Sequence, residues 1–176
     1  MEQILPRFGK TGILLHMKKL VYIETSVISY LTARVSRDLV SAARQQLTQE
    51  WWSDCRQEFD LFVSPLVSDE ALRGDSEAAG RRMDVLKDIP ELTLTDEAAS
   101  LAGHLMQAGA LPEKAKDDAV HIAIAAVCRM DYLLTWNCRH IDNAAMKPVI
   151  RKVCTEHGFV CPEICTPEEL RGERNG

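Results

Sequence analysis

Acidic side chains stand where apolar segments of this sequence end or begin. Glu24 directly follows the apolar segment 19–23 (KLVYI), and Glu70 lies about one helical turn after the apolar segment 59–63 (FDLFV). Asp118 stands at the start of an apolar helical stretch. Carboxylate oxygens are the ligands that Mg²⁺ and Mn²⁺ prefer, whereas zinc sites use more nitrogen and sulfur. The three acids therefore predict a site for a hard divalent cation.

Each acid also has a simpler interpretation. Glu24 can cap the next helix or form an ion pair, and Glu70 can be a solvated glutamate that pairs with Arg73. Asp117 and Asp118 both gain from the positive end of a helix dipole, and one of them can cap the helix. We assign the cap to Asp117 and the cation to Asp118, because Asp118 shares a helix face with His121, which we interpret as a buried, hydrogen-bonded histidine.

Polar residues also follow the apolar segment YLLT. Thr135 and Asn137 can donate hydrogen bonds to a carboxylate or a phosphate, and the Asn137 side chain offers an oxygen to a metal. Asparagine is equally common in turns. Arg139 and His140 come next, and they can contact a phosphate or simply belong to a solvated turn.

The elements that must position these residues alternate between strands and helices. Short apolar strands that alternate with helices predict an α/β fold, a three-layer α/β/α sandwich with a parallel sheet, whose ligands gather at the carboxyl ends of the strands. The predicted strands span 19–23, 59–63, 91–94 and 132–135. The predicted helices begin at 25, 36, 65, 95, 117 and 148, and a capping box starts at 166.

The composition is that of one globular domain. The chain has 176 residues, of which 46% are hydrophobic and 27% charged, and no apolar run is long enough to span a membrane. We expect an N-terminal extension over 1–16, the domain over 17–170 and a tail over 171–176. The net charge of −5 argues against broad, non-specific binding to nucleic acid, although a carboxylate site contributes negative charge itself.

The six cysteines are expected to be reduced thiols of a cytoplasmic protein, since none forms a C-x-x-C pair. A metal site built from Cys154, His157, Cys161 and Cys165 is the alternative. Their spacing does not fit the usual zinc patterns, so we predict that they are not a zinc site.

Four segments, in this order and spacing, resemble the PIN-domain family, and within it the VapC-type toxins of bacterial toxin–antitoxin pairs. They are YIETSVISYL, SPLVSDEAL, KDDAVHIAIA and LLTWNCRHI, and the likeness covers about 17–170. The resemblance implies a PIN-like parallel α/β/α sandwich and Mg²⁺- or Mn²⁺-dependent cleavage of RNA. It also implies a cognate antitoxin and a homodimer.

The resemblance places the metal-binding acids on Glu24, Glu70 and Asp118, and a fourth catalytic polar position on Asn137. The small hydroxyl of the family falls on Thr25 or Ser26, which with Thr135, Arg139 and His140 form the predicted substrate-binding set. Two positions depart from the family pattern. The first acid is usually aspartate, so the Glu24 carboxylate lies about 1.5 Å further out, and Asn137 lowers the negative charge of the site.

The predicted mechanism is in-line hydrolysis of a phosphodiester with one or two bound cations. Because of the two departures, an alternative function is a catalytically weakened binding or assembly module with the same fold. A sequence-specific DNA-binding regulator is disfavoured, since no basic recognition helix is present.

Overall fold

A four-stranded parallel sheet forms the centre of the fold in this computed structural model, which describes residues 18–171. The strands are β1 (Lys19–Ile23), β2 (Phe59–Phe62), β3 (Tyr132–Leu134) and β4 (Glu163–Cys165). The strand order is β2-β1-β3-β4, so the apolar strands β1 and β3 are central and are covered on both faces, as parallel strands usually are.

Seven α-helices in the described residues form the two outer layers. They are α1 (Thr25–Thr32), α2 (Leu39–Asp54), α3 (Pro65–Ala71), α4 (Ser76–Leu86), α5 (Asp96–Gln107), α6 (Lys116–Val127) and α7 (Lys147–Glu156). The helices α2, α3 and α4 pack around α1, and α5 packs against α6 and α7. The predicted three-layer α/β/α sandwich with a parallel sheet is thereby confirmed.

Two elements differ from the sequence-based expectation. The segment predicted as a third strand, 91–94, forms only an isolated bridge between Val63 and Glu91, and the fourth strand of the sheet is β4. The helix α4 was not predicted. Its start signal is Asp75, whose side chain accepts a hydrogen bond from the backbone N–H of Ala78 at 2.9 Å.

The helix caps show where local signals were correct. Thr95 caps α5 through the N–H of Ala98, and Thr166 and Glu169 form the predicted capping box with reciprocal hydrogen bonds. The assignment of the α6 cap to Asp117 was wrong. Residue Ala115 occupies the N-cap position and makes no side-chain cap bond, because α6 begins at Lys116, one residue before Asp117.

The predicted N-terminal extension, residues 1–16, lies outside the described residues, as do residues 172–176 of the predicted tail. Within 18–171, no helix is long and apolar enough to cross a membrane.

Candidate active site

Glu24 joins the sheet to the first helix. Its backbone N–H donates to the carbonyl of Leu134 at 3.0 Å, which continues the pairing of β1 with β3 beyond Ile23. Its side chain caps α1 by accepting from the N–H of Ser26 at 3.1 Å. The capping interpretation of Glu24 is therefore confirmed, but a cap alone leaves most of its carboxylate unexplained.

Glu24 is 6% exposed, and its carboxylate is held by hydroxyl groups. Thr135 donates to it at 2.6 Å from the end of β3, and the Ser26 hydroxyl donates to the same oxygen. Ser26 in turn accepts from the backbone N–H of Trp136 at 2.8 Å. Hydrogen bonds of this kind compensate for the removal of a carboxylate from water.

Glu70 reaches back towards β1 from the last turn of α3. One of its oxygens accepts from the Thr25 hydroxyl and from Nε2 of His121, the latter at 3.1 Å. Burial alone would raise the pKa of the Glu70 carboxyl, but the hydrogen bonds from His121 and Thr25 outweigh it and hold this pKa below its usual 4.5. Glu70 is thus favoured as an anion.

His121 is held from its other side by a buried chain of hydroxyl groups. Nδ1 of His121 lies 2.8 Å from the Tyr22 hydroxyl, which lies 2.7 Å from the Ser64 hydroxyl. Since the Glu70 carboxylate can only accept, we assign the proton to Nε2, so Tyr22 donates to Nδ1 and Ser64 donates to Tyr22. The interpretation of His121 as a buried, hydrogen-bonded histidine is confirmed, and its ring fixes the position of Glu70.

The ligand atoms of Glu24, Glu70 and His121 all lie within 4.8 Å of one another. In residues 18–171 this is the one group of three such side chains close enough to share a metal ion. The carboxylate of Asp118 is not in it, so the structure brings two of the three predicted acids together and places His121 beside them. His121 stands three residues after Asp118, so the two residues share one face of α6. This spacing is the sequence signal that could have indicated His121 as a member of the site.

Asp118 belongs to an adjoining cluster. Its Oδ1 accepts from Nδ2 of Asn137 at 3.0 Å, and its Oδ2 lies 2.8 Å from Nδ1 of His140. The backbone N–H of Asn137 donates to the Thr135 hydroxyl at 2.9 Å, and Thr135 donates to Glu24. Thr135 therefore links the two acidic clusters, as expected for groups at the carboxyl ends of neighbouring strands.

The predicted substrate-binding residues are mostly occupied with the acids. Thr25, Ser26 and Thr135 donate to carboxylates, and His140 pairs with Asp118. Arg139 has an exposed side chain, and its backbone carbonyl accepts from Nδ2 of Asn143 at 3.0 Å. None of these contacts tests a role in substrate binding, which stays a prediction for all five.

An open groove of about 650 Å³ leads to the acids. Glu24 and Glu70 lie on its wall together with hydroxyl groups and two arginines, Arg34 and Arg73. Arg73 is 3.8 Å from Asp117, and both side chains are largely exposed. The groove thus combines anionic groups with cationic groups that can attract a phosphate.

The donor set fits a hard divalent cation better than zinc. Glu24 and Glu70 supply carboxylate oxygens, which suit Mg²⁺ and Mn²⁺. With its proton on Nε2, His121 orients Glu70 and is not itself a ligand, which is a common arrangement around metal sites. Cys154 and Cys161 are free thiols, and a hydrogen bond from Cys161 holds the pKa of Cys154 below its usual range. That the C-terminal cysteines do not form a zinc site stays a prediction.

Comparisons with known proteins give partial likenesses among solved structures. No protein-family profile and no curated protein matches the sequence. A solved structure, the VapBC2 complex of Rickettsia felis bound to a DNA fragment from its promoter, contains a similar chain. The identity is 12%, the match covers 82% of this chain and 98% of that chain, and the TM-score is 0.48. A structural similarity at this level does not indicate an activity.

Proposed function

We propose that this protein is a Mg²⁺- or Mn²⁺-dependent endoribonuclease and the toxin of a toxin–antitoxin pair. The observation that carries the proposal is the convergence of Glu24, Glu70 and His121 at the carboxyl edge of a parallel sheet. The four sequence segments that resemble PIN-domain toxins supply the substrate class, RNA. They also supply the expectation of an antitoxin partner, a homodimer and a cytoplasmic location.

Glu24 and Glu70 would hold the cation, and Asp118 would extend the site from the adjoining cluster. A bound divalent cation at such a site supplies charge neutralisation at the phosphate and activation of water. The protein's own side chains orient the carboxylates and attract the substrate. Thr25 and His121 keep the Glu70 carboxylate ionised and aimed, and Asn137 and His140 fix Asp118. Arg73, on the groove wall, is placed to attract the phosphate backbone.

The test is cleavage of a short labelled RNA by the purified full chain, with Mn²⁺ and with EDTA. Glu24→Gln and Glu70→Gln should each reduce cleavage by at least about tenfold, which is about 1.4 kcal/mol in the barrier. Glu113→Gln, an exposed surface change, is the matched control and should leave cleavage unchanged. Cleavage that persists in EDTA, or in both site variants, would refute the proposal.

A second candidate function is a non-catalytic binding module. The observation in its favour is that every carboxylate of the site already has hydrogen-bond partners within the chain. Such a module needs no cation. It would show no RNA cleavage and no rise in melting temperature with Mn²⁺, whereas a cation site that binds the native state raises it by mass action.

The antitoxin partner is tested separately from the chemistry. A short reading frame directly beside the gene for this chain should encode a protein that copurifies with it and inhibits cleavage. Cleavage without such a partner would support the nuclease and reject the toxin assignment.

A further inference from the structure

Two histidines meet between helices α5 and α7, and neither belongs to the acidic clusters. His104 lies in the last turn of α5 and His157 is the C-cap residue of α7. Nδ1 of His104 and Nε2 of His157 are 3.3 Å apart, and the ring centroids are 3.8 Å apart. Both side chains line an open groove of about 370 Å³, with Asp96 and Glu97 on its wall.

The spacing of the two nitrogens matches a metal-binding pair. Metal–nitrogen bonds of about 2.0–2.1 Å that meet at a tetrahedral angle place the two nitrogens about 3.3–3.4 Å apart. The observed 3.3 Å separation falls in this range. The ring centroids lie 3.8 Å apart, closer than the about 5 Å expected when both ring nitrogens face one ion, so one ring must turn when the metal binds.

The electrostatics of the groove favour a cation. Both histidines stand at helix C-termini, where the backbone carbonyls carry partial negative charge. The carboxylates of Asp96 and Glu97 add negative charge to the same groove. Waters can complete the coordination because the groove is open and His157 is exposed.

We propose that His104 and His157 form a two-histidine site for a transition-metal dication of the zinc type, completed by water, which joins the C-terminal ends of α5 and α7. Imidazole nitrogen suits zinc and its neighbours in the first transition row, whereas Mg²⁺ prefers oxygen. The site is therefore distinct from the acidic site in both position and metal preference. It also differs from the cysteine cluster, since Nε2 of His157 faces His104.

The experiment uses the full chain, purified without a histidine tag and kept reduced. Calorimetric titration with Zn²⁺ should show a site that is weakened at least about tenfold by His104→Gln and equally by His157→Gln. The double variant should bind no worse than either single variant, because both remove the same site. Glu113→Gln, an exposed change outside both acidic clusters and this groove, is the control and should leave this binding step unchanged.

A second measurement separates histidine ligands from cysteine ligands. Co²⁺ should bind without the strong ultraviolet absorption of a thiolate-to-cobalt transition, and the binding should weaken from about pH 7.5 to about pH 5.5 as the imidazoles take up protons. Zn²⁺ binding unaffected by either histidine change would overturn the proposal. So would thiolate absorption that disappears in Cys161→Ser, or no binding at all by the parent chain.

Discussion

At the level of single residues, Asp117 and Asp118 show how one step along a helix changes the role of a side chain. Asp118 turns inward, where Asn137 and His140 bind both of its oxygens. Asp117 is 55% exposed and has Arg73 as a distant partner at 3.8 Å. The same helix dipole acts on both residues, so it is the tertiary hydrogen bonds that distinguish them.

This pair gives a matched test of the acidic site. Asp118→Asn should lower Mn²⁺-dependent RNA cleavage by at least about tenfold, because the adjoining cluster loses its only carboxylate. Asp117→Asn should change cleavage less than about twofold, since exposed ion pairs contribute little. Rates measured at one Mn²⁺ concentration suffice. The reverse ranking would show that the assignment is displaced by one residue.

Glu70 predicts a pH effect on stability. Its folded-state pKa lies below the usual 4.5, so ionised Glu70 stabilises the folded protein above pH 4.5, and this contribution is lost as the pH falls towards the folded-state pKa. Glu70→Gln should therefore make the free energy of unfolding fall less steeply below pH 4.5. Urea unfolding at a series of acidic pH values measures this slope. Equal slopes for Glu70→Gln, Glu113→Gln and the parent would contradict the prediction.

The sequence predicted those site residues whose position depends mainly on their own strand or helix. Glu24 follows an apolar strand and Glu70 lies one turn into a helix, and both reach the carboxyl edge of the sheet. The place of His121 depends on Tyr22 and Ser64, which lie far away in the sequence. The choice between Asp118 and His121 as the third member is set by such distant hydrogen bonds, which local patterns do not contain.

At the level of elements, apolar runs and start signals located most of the strands and helices. The failures have physical causes. The segment 91–94 has only one bridge, between Glu91 and Val63 after β2, and the fourth strand lies at the opposite edge of the sheet beside β3. Helix α4 is mostly polar and has only Ala79 and Leu86 as buried residues, so its apolar residues were too few to recognise as a helix.

Helix α7 provides a test of packing with an internal control. Ile150 is fully buried and its neighbour Val149 is 37% exposed. Ile150→Ala should lower the free energy of unfolding by about 2–5 kcal/mol, because it leaves a cavity in the core. Val149→Ala should change it by less than about 0.5 kcal/mol, as surface substitutions usually do. Urea denaturation of both variants measures the difference, and similar losses would show that α7 is packed differently.

At the level of the whole molecule, the surface carries an apolar patch where α2 begins. Val35, Leu39 and Val40 are 90%, 85% and 61% exposed. The nearby tryptophans of α2 are less available for contact. Trp51 is fully buried, and Trp52 is partly buried beneath the guanidinium of Arg56. Large exposed apolar side chains close together in the chain are typical of interaction surfaces.

The proposed homodimer therefore has a candidate contact that can be tested directly. Light scattering at micromolar concentration should give twice the mass of one chain, and Leu39→Asp should shift the mass towards the monomer because a charge in an apolar contact is costly to desolvate. Val160, which is 80% exposed and lies after α7, is the control. Val160→Asp should leave the mass unchanged. A strictly monomeric parent chain would reject the homodimer, and a dimer that survives Leu39→Asp would place its interface elsewhere.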